Sequence, residues 1–552
     1  MHVLDWFVIF FTQVAIVLYG LWRTRNSADT ITFFKAGKSQ GWVAVGLSVM
    51  ATQASAITFL SGPGQAFSEG MGFLQFYFGL PLAMLVIILL FIKVYEVNNV
   101  TTAYEFLEMR FGLFTRIFTA TLFLLQRGLA AGFTIFAPSL VVSALLGWDI
   151  KLTNLLCGLA VILYTTSGGS KAVAETQKLQ MAVMMAGLFF SLFLLIYLIY
   201  PTYGNIKQIA QAAVATGRTE VLDFSFDLNK KYTLWSGLIG GFFVALAYFG
   251  TDQSQVARYI GGKNIREARR GLAMNALLKI PMQALVLLCG VFLFLFYVSH
   301  PQPLSFNPKT ENELHKMLEK DSINNIKQLL LKRDSLYHST LRKTLCGNDI
   351  AYLTQLHDSL NCQIKNIIEQ YMGREKSQDT NFIFLRFVVE YFPVGILGLV
   401  ISMLFSAAMS SASSELNALA SVTCIDFITR IKKRPIKEKN LIALSRWATL
   451  FWGAYSITFS MFAGNMGTLI EAVNVLGSLI YGTVLGIFLV GFFTHHVKQG
   501  SVLIAAAVSE TFILILFIYK IVPFLWFNVI GCILVILISL ILGTIQNLIQ
   551  KN

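Results

Sequence analysis

Thirteen apolar windows constrain this chain more than any other feature of it. A helix needs about 20 apolar residues to cross the hydrocarbon core of a bilayer. Such windows recur at 3–22, 42–66, 72–95, 114–147, 150–166, 178–200, 233–251, 276–299, 383–425, 442–464, 467–493, 500–519 and 524–545. Only 13% of the 552 residues are charged, against about 25% in soluble domains. Spans of this length satisfy their own backbone only as helices. The expectation is an all-α polytopic membrane protein, with membrane parts at 1–299 and 383–552 and a polar insert at 300–382. The first window follows no basic residues and ends in no small-residue cleavage site, so it reads as a retained span rather than a secretory signal.

Orientation follows from lysine and arginine, which accumulate in short cytoplasmic loops. With the N-terminus outside, the basic loops fall inside: Arg23, Arg25, Lys35 and Lys38; 252–279 with Arg258, Lys263, Arg266, Arg269, Arg270 and Lys279; and 426–446 with Arg430, Lys432, Lys433, Arg434, Lys437, Lys439 and Arg446. Thirteen spans then put the C-terminus inside as well. The net charge of +14 is accounted for in this way and calls for no nucleic acid. Two polar segments fall outside, 201–232 and 300–382. In the second, Ile323, Ile326, Leu329 and Leu330 recur at helical spacing, and Cys346-Gly347-Asn348-Asp349 breaks the pattern. A small helical hairpin is expected there. The six cysteines form no CxxC pair, which removes support for zinc or redox chemistry. Cys346 and Cys362 could bridge in an oxidising compartment. On one continuous helix they would sit roughly 24 Å apart, too far for a disulfide.

Arg127 lies inside Leu122–Leu146, a stretch otherwise apolar enough to span. A guanidinium at that depth costs about 2.5–3.5 kcal/mol on insertion scales, so it must face a partner, a cavity or a solute. Two spans carry polar interruptions. The second has Ala51-Thr52-Gln53-Ala54-Ser55-Ala56 and then Ser61-Gly62-Pro63-Gly64, where Pro and Gly would free backbone carbonyls at membrane depth. The ninth has Ser406 to Ser414, with five serines in nine residues. That density suits either close helix packing or a hard cation, which prefers oxygen ligands. Discontinuous helices in both halves point to inverted-repeat secondary transporters.

Six ordered motifs sharpen this: Ala51–Gly64, Thr101–Phe111 (TTAYEFLEMRF), Gly132–Leu140 (GFTIFAPSL), Tyr164–Val173 (YTTSGGSKAV), Thr251–Tyr259 (TDQSQVARY) and Phe405–Asp426. On these the chain resembles the sodium:solute symporters, carriers of sugars, iodide, vitamins, proline and sialic acid, from about residue 3 to 520 apart from the insert. The resemblance implies a leucine-transporter-type bundle of two inverted five-helix repeats with flanking helices. It implies a sodium site formed by the backbone carbonyls of Ala51, Ala54 and Ala407 and the hydroxyls of Ser410 and Ser411. Some members bind a second sodium at a Thr-Asp pair; here the pair is Thr176-Gln177, beside Glu175, and one sodium per cycle is expected. It places the solute beside Gln53, Ser55, Thr58, Phe73, Gln75 and Arg127. In sialic-acid-type members an arginine and broken-helix hydroxyls hold a carboxylate, and Arg127 with Ser55 and Thr58 matches. A guanidinium fork suits a carboxylate, and Ile57-Thr58 argues against a glucose-like pocket.

The reading is therefore a sodium-coupled importer of a small organic anion, a sugar acid such as sialic acid being the foremost candidate, in a plasma membrane or bacterial inner membrane. The alternative solute is a neutral sugar, polyol or vitamin. A sensor, in the manner of relatives fused to kinases, is a third reading; no kinase segment follows the last span. Its partners are the solute, sodium and the bilayer, with no obligate protein partner evident. No cofactor is expected, and no nucleophile–base constellation suggests an enzyme. AGKSQG lacks the glycine a phosphate loop needs at position 32, which is Thr. Asp252 reads as a helix cap or gate-supporting contact in a cytoplasmic loop. His495-His496, Glu471 and Glu510 read as interfacial or packing residues.

Overall fold

A computed structural model describes residues 1–24, 34–227, 229–319, 328–329, 331–333, 347–373, 377–432, 436–465 and 468–551. Among the described residues the regular structure is helical, and only an isolated bridge pairs Gln40 with Gly262. In chain order the helices are α1 (Val3–Thr24), α2 (Trp42–Gln53), α3 (Ala56–Glu69), α4 (Met71–Val97), α5 (Glu105–Phe111), α6 (Leu113–Leu146), α7 (Ile150–Tyr203) and α8 (Ile206–Ala215). They continue as α9 (Ser236–Thr251), α10 (Gln253–Ile260), α11 (Ile265–Ser299), α12 (Pro308–Glu319), α13 (Gly347–Met372), α14 (Ile383–Tyr391), α15 (Ile396–Ile431), α16 (Glu438–Ser460), α17 (Leu469–Phe493), α18 (Gln499–Ile518) and α19 (Leu525–Lys551). Among the described residues nine helices are long and apolar enough to cross a membrane, or ten with the bent pair α2–α3.

Helices occupy all thirteen apolar windows, with several boundaries corrected. The windows 150–166 and 178–200 correspond to two apolar helices, Ile150–Thr166 and Gly169–Tyr203, run together as α7 across a break where Gly169 takes φ 59° and ψ −168°. The window 383–425 splits between α14 and α15 at Pro393 and Gly395, the latter at φ 87°. The basic "loop" 252–279 is mostly helical, because Asn264 caps α11 by accepting from the Glu267 N–H at 3.0 Å. In the insert, Leu314 of α12 packs on Ile364 and Ile368 of α13, with Leu329 against them. Gly347, Asn348 and Asp349, expected to turn, instead open α13. Cys346, Ile323, Ile326, Leu330, Arg25, Lys433 and Arg434 lie outside the described residues. Cys362 is exposed on α13.

Two breaks organise the bundle: one sits inside the Ala51–Ala56 polar run, the other lies away from the serine run that suggested it. The first falls at Ala54 (ψ 77°) and Ser55 (ψ 166°), where α2 and α3 meet at a 60° bend. α3 then continues straight through Ser61-Gly62-Pro63-Gly64. The second falls at Asp252 (φ −79°, ψ 120°), between α9 and α10. α15 is unbroken through its serine run, because Ser413 and Ser414 hydroxyls fold back onto the Ser410 carbonyl at 3.1 and 2.9 Å instead of displacing the helix bonds. α11 lies along both halves of the first broken helix. A Cβ on Gly46 would stand 2.9 Å from the Gly271 carbonyl, so glycine is what allows α2 and α11 to cross this closely.

Candidate functional site

The break between α2 and α3 faces the middle of α15. The Ser410 hydroxyl donates to the Ala51 carbonyl at 2.8 Å, and the Ser411 hydroxyl donates to the Thr52 carbonyl at 3.0 Å. Ala51, Ala54, Ala407 and Ser410 are fully buried and Ser411 nearly so. Ala407 lies one turn before the two serines on α15, and Ala54 is the residue at the bend. The fold thus joins Ala51 directly to Ser410 and sets Ala54 and Ala407 in the same core. Every polar atom offered here is a neutral oxygen, the donor set of a hard monovalent cation.

Gln177 of α7 closes this cluster on its far side. Its amide nitrogen lies 2.8 Å from Ser414 Oγ, 3.0 Å from Thr52 Oγ1, 3.2 Å from Ser410 Oγ and 3.4 Å from the Ser410 carbonyl. Its amide oxygen accepts from the Ser48 hydroxyl of α2. An N–H₂ group can only donate to those four oxygens. Glu175, two residues earlier, is turned away and held by Lys178 at 2.9 Å and Arg23 at 3.7 Å.

Beside the neutral cluster lies a charged one. Arg127 of α6 is 3% exposed. One arm of its guanidinium donates to Glu415 Oε1 of α15 at 3.1 Å. The other contacts the Asp252 carboxylate and the Tyr481 hydroxyl. The Tyr481 hydroxyl donates to Asp252 Oδ2 at 3.0 Å, and the Tyr248 ring centroid lies 5.4 Å from the guanidinium carbon. Asp252 does cap a helix, accepting from the Ser254 N–H at 2.9 Å, but it is buried at the second break rather than in an open loop. The sequence reading found the cation and missed its partners Glu415, Tyr248 and Tyr481. The signal was available: a buried arginine needs a compensating charge, and Asp252 and Glu415 stand inside quoted motifs.

A cavity of about 120 Å³ opens between the two clusters, lined by Gln53, Ser55, Thr58, Arg127, Glu415 and Tyr248 among others. Phe73 and Gln75 do not line it. The 3₁₀ turn at Met71–Tyr77 aims Phe76 and Tyr77 at the cavity instead. Phe73 stacks on Phe76 at 5.5 Å and meets Tyr232 edge-on at 5.2 Å, and Gln75 holds the Tyr232 carbonyl and the Asp223 N–H. Glu471 pairs with Lys231 at 2.7 Å.

A model of the sodium:solute symporter family matches residues 33–323 and 360–508. The human sodium/iodide cotransporter is 27% identical over 492 residues, covering 88% of this chain and 65% of that protein. The sodium-coupled monocarboxylate transporter 1 of Xenopus laevis is 27% identical over 459 residues, covering 83% and 62%. A putative sodium-dependent multivitamin transporter of Drosophila melanogaster is 26% identical over 512 residues, covering 91% and 72%. The chain therefore spans slightly less than two thirds of the length of the first two. A solved structure, the substrate-bound outward-open state of a Na+-coupled sialic acid symporter, superposes with a TM-score of 0.76 over 99% of this chain and 98% of its own, at 22% identity. That likeness is one of fold. The all-α bundle with two broken helices is the leucine-transporter-type architecture that the motifs led one to expect.

Proposed function

Because the chain belongs to the sodium:solute symporter family, we propose that it is a sodium-coupled symporter, carrying a small organic solute across a membrane by alternating access. The observation that carries this is the meeting of the Ala51 and Thr52 carbonyls with the Ser410 and Ser411 hydroxyls at a helix break. Sodium would bind there through neutral oxygens. We take the coupling to be one sodium per cycle, since the Gln177 amide already fills the adjoining oxygen cage with N–H donors. One charge moving through 100 mV gains about 2.3 kcal/mol, enough for roughly 50-fold accumulation of a neutral solute before the sodium gradient is added. An anion travelling with one sodium would be driven by the chemical gradient alone.

For the solute, kinship and geometry pull apart. The relatives are named for iodide, monocarboxylates and vitamins, and the structural neighbour for sialic acid. These favour an acid held by Arg127, Ser55 and Thr58, with a sugar acid as our proposal. An acid must then take the place of Glu415 or Asp252 on the guanidinium. A neutral polyol, sugar or vitamin is the second reading, favoured by the double carboxylate pairing of Arg127. Ligand pockets for drug-sized molecules run to about 300–1,000 Å³, so either solute requires the cavity to widen. We place the carrier in a plasma membrane, or an inner membrane if bacterial, with the N-terminus and the 300–382 insert outside and the C-terminus inside. The membrane domain is then 1–299 with 383–552.

The test is uptake of radiolabelled sialic acid into proteoliposomes with and without an inward sodium gradient. Sodium-dependent uptake that is lost in Arg127→Ala and does not return when Asp252→Asn and Glu415→Gln restore the melting temperature supports the acid. Absence of uptake, with thermal stabilisation by a neutral sugar, moves the assignment to the second reading.

A further inference from the structure

The outer half of the first broken helix, α3, is gripped at three successive levels, two by the chain beyond α11 and the last by Arg218 of the segment between α8 and α9. The Ser61 hydroxyl donates to Asn381 Oδ1 at 2.8 Å. Gly64 lies so close to the Thr380 backbone that a Cβ there would stand 2.0 Å from its carbonyl oxygen. At the end of α3, the Phe67 carbonyl accepts from Arg218 Nε at 2.7 Å. Arg218 is the hub of this last level. Its Nη2 donates to Asp358 Oδ1 of insert helix α13 at 2.8 Å, its guanidinium carbon lies 3.4 Å from the Phe294 ring centroid of α11, and its own carbonyl accepts from the Met71 N–H at 2.8 Å. His357, beside Asp358, packs edge-on to the same Phe294 ring at 5.2 Å and bonds Gln302 at 2.8 Å.

Arg218 is 8% exposed, whereas the Asp358 side chain is 47% exposed. The contact is therefore a buried hub reached by one wetted carboxylate, which can let go without unfolding either helix. α3 carries Thr58, and Ser55 starts it, so whatever holds α3 sets the position of the proposed solute groups. We propose that the insert is an external latch on α3, with Asp358–Arg218 as its release point. This rests on the transport reading for its consequence, although the latch itself needs no solute.

The experiment uses the full chain in proteoliposomes, with Cys157, Cys346 and Cys362 replaced by serine and a reporter, Val473→Cys, in the central cavity lining. The probe is a membrane-impermeant thiosulfonate applied from the insert side, in sodium and without solute. Asp358→Asn removes a charge-assisted bond and is expected to speed modification about tenfold, with the melting temperature little changed. Arg218→Lys keeps the charge but loses the Nε bond to Phe67, and should also speed it. Unchanged modification in both variants overturns the latch, and so does a lowered melting temperature with unchanged modification, which would make the contact merely structural. No solute is involved, so failure of the transport reading and failure of the latch are separable.

Discussion

On one side of the α2–α3 break, Thr52, Ser410, Ser411, Ser414 and Gln177 meet with no formal charge among them. On the other, Arg127, Asp252 and Glu415 bring three charged groups together between Tyr248 and Tyr481. The neutral cluster is held by hydroxyls that can rotate and turn a lone pair to an arriving cation at little cost. In the charged cluster two carboxylates share one guanidinium, so any exchange that removes the guanidinium leaves both buried carboxylates uncovered. On the proposed reading the first accepts an ion and releases it. The second is built to stay together unless something of equal charge intervenes. α15 carries Ser410, Ser411 and Ser414 of one cluster and Glu415 of the other, so the two clusters share a helix.

The largest expected effect is on the charged side. Arg127→Ala leaves two buried carboxylates unpaired, and breaking a buried pair costs about 3–5 kcal/mol. The melting temperature and transport should both fall steeply. Adding Asp252→Asn and Glu415→Gln should recover the melting temperature. If acid uptake returned with it, Arg127 would be a structural ion-pair partner and the contrast between the two clusters would fail.

Next in size is the neutral side. Ser410→Ala removes one oxygen and one bond, and should raise the half-saturating sodium about tenfold, the effect of losing a ligand to a charged group. Sodium titration of uptake, or of melting temperature, reads it. Gln177→Asp sharpens the comparison from the other direction. It replaces the amide donors with a carboxylate in an oxygen cage, and the sodium dependence should steepen from a Hill slope near one toward two. An unchanged slope would mean that the cage is too small or too rigid for an ion.

A smaller effect belongs to the insert. Burial holds the His357 imidazole below its ordinary 6.5, with Asp358, Arg218 and Arg333 around it. The docked insert therefore resists a proton that the undocked one accepts. Docking should weaken as pH falls below about 6.5 and level off below the lowered value. Asp358, held below the ordinary 3.8 by His357 and Arg218 in spite of partial burial, stays ionised through that range. His357→Gln should flatten the pH profile of cavity-cysteine modification. The smallest effect is at Phe73, which packs outside the cavity: Phe73→Leu should change the half-saturating solute concentration less than Phe76→Leu does.

The helices were legible because hydropathy reports burial in lipid directly, and the six motifs carried the family. The first break was legible too, in the Ala51–Ala56 run, but the second was not, nor was the continuity of α3 and α15 through their other polar runs. Pro63 and its flanking glycines look like an interruption, yet a proline removes only one helix bond, and close packing of α11 keeps α3 continuous. The serine run of α15 looks equally irregular, yet its hydroxyls bond back within the helix. The true second break needs only one residue, Asp252, whose side chain caps the next helix while its carboxylate meets Arg127. No window of composition registers a single residue doing that. The partners of Arg127 come from α9–α10, α15 and α17, so their convergence is a property of the fold rather than of any local spacing.

The most direct test of the account is the melting temperature of the purified chain in detergent, with sodium against equal concentrations of potassium and choline. A ligand that binds only the folded state stabilises by about 1.4 kcal/mol at ten times its dissociation constant. The account predicts a rise with sodium alone, absent or much reduced in Ser410→Ala. A rise equally large in Ser410→Ala, or with potassium and choline, would contradict a sodium site at the α2–α3 break.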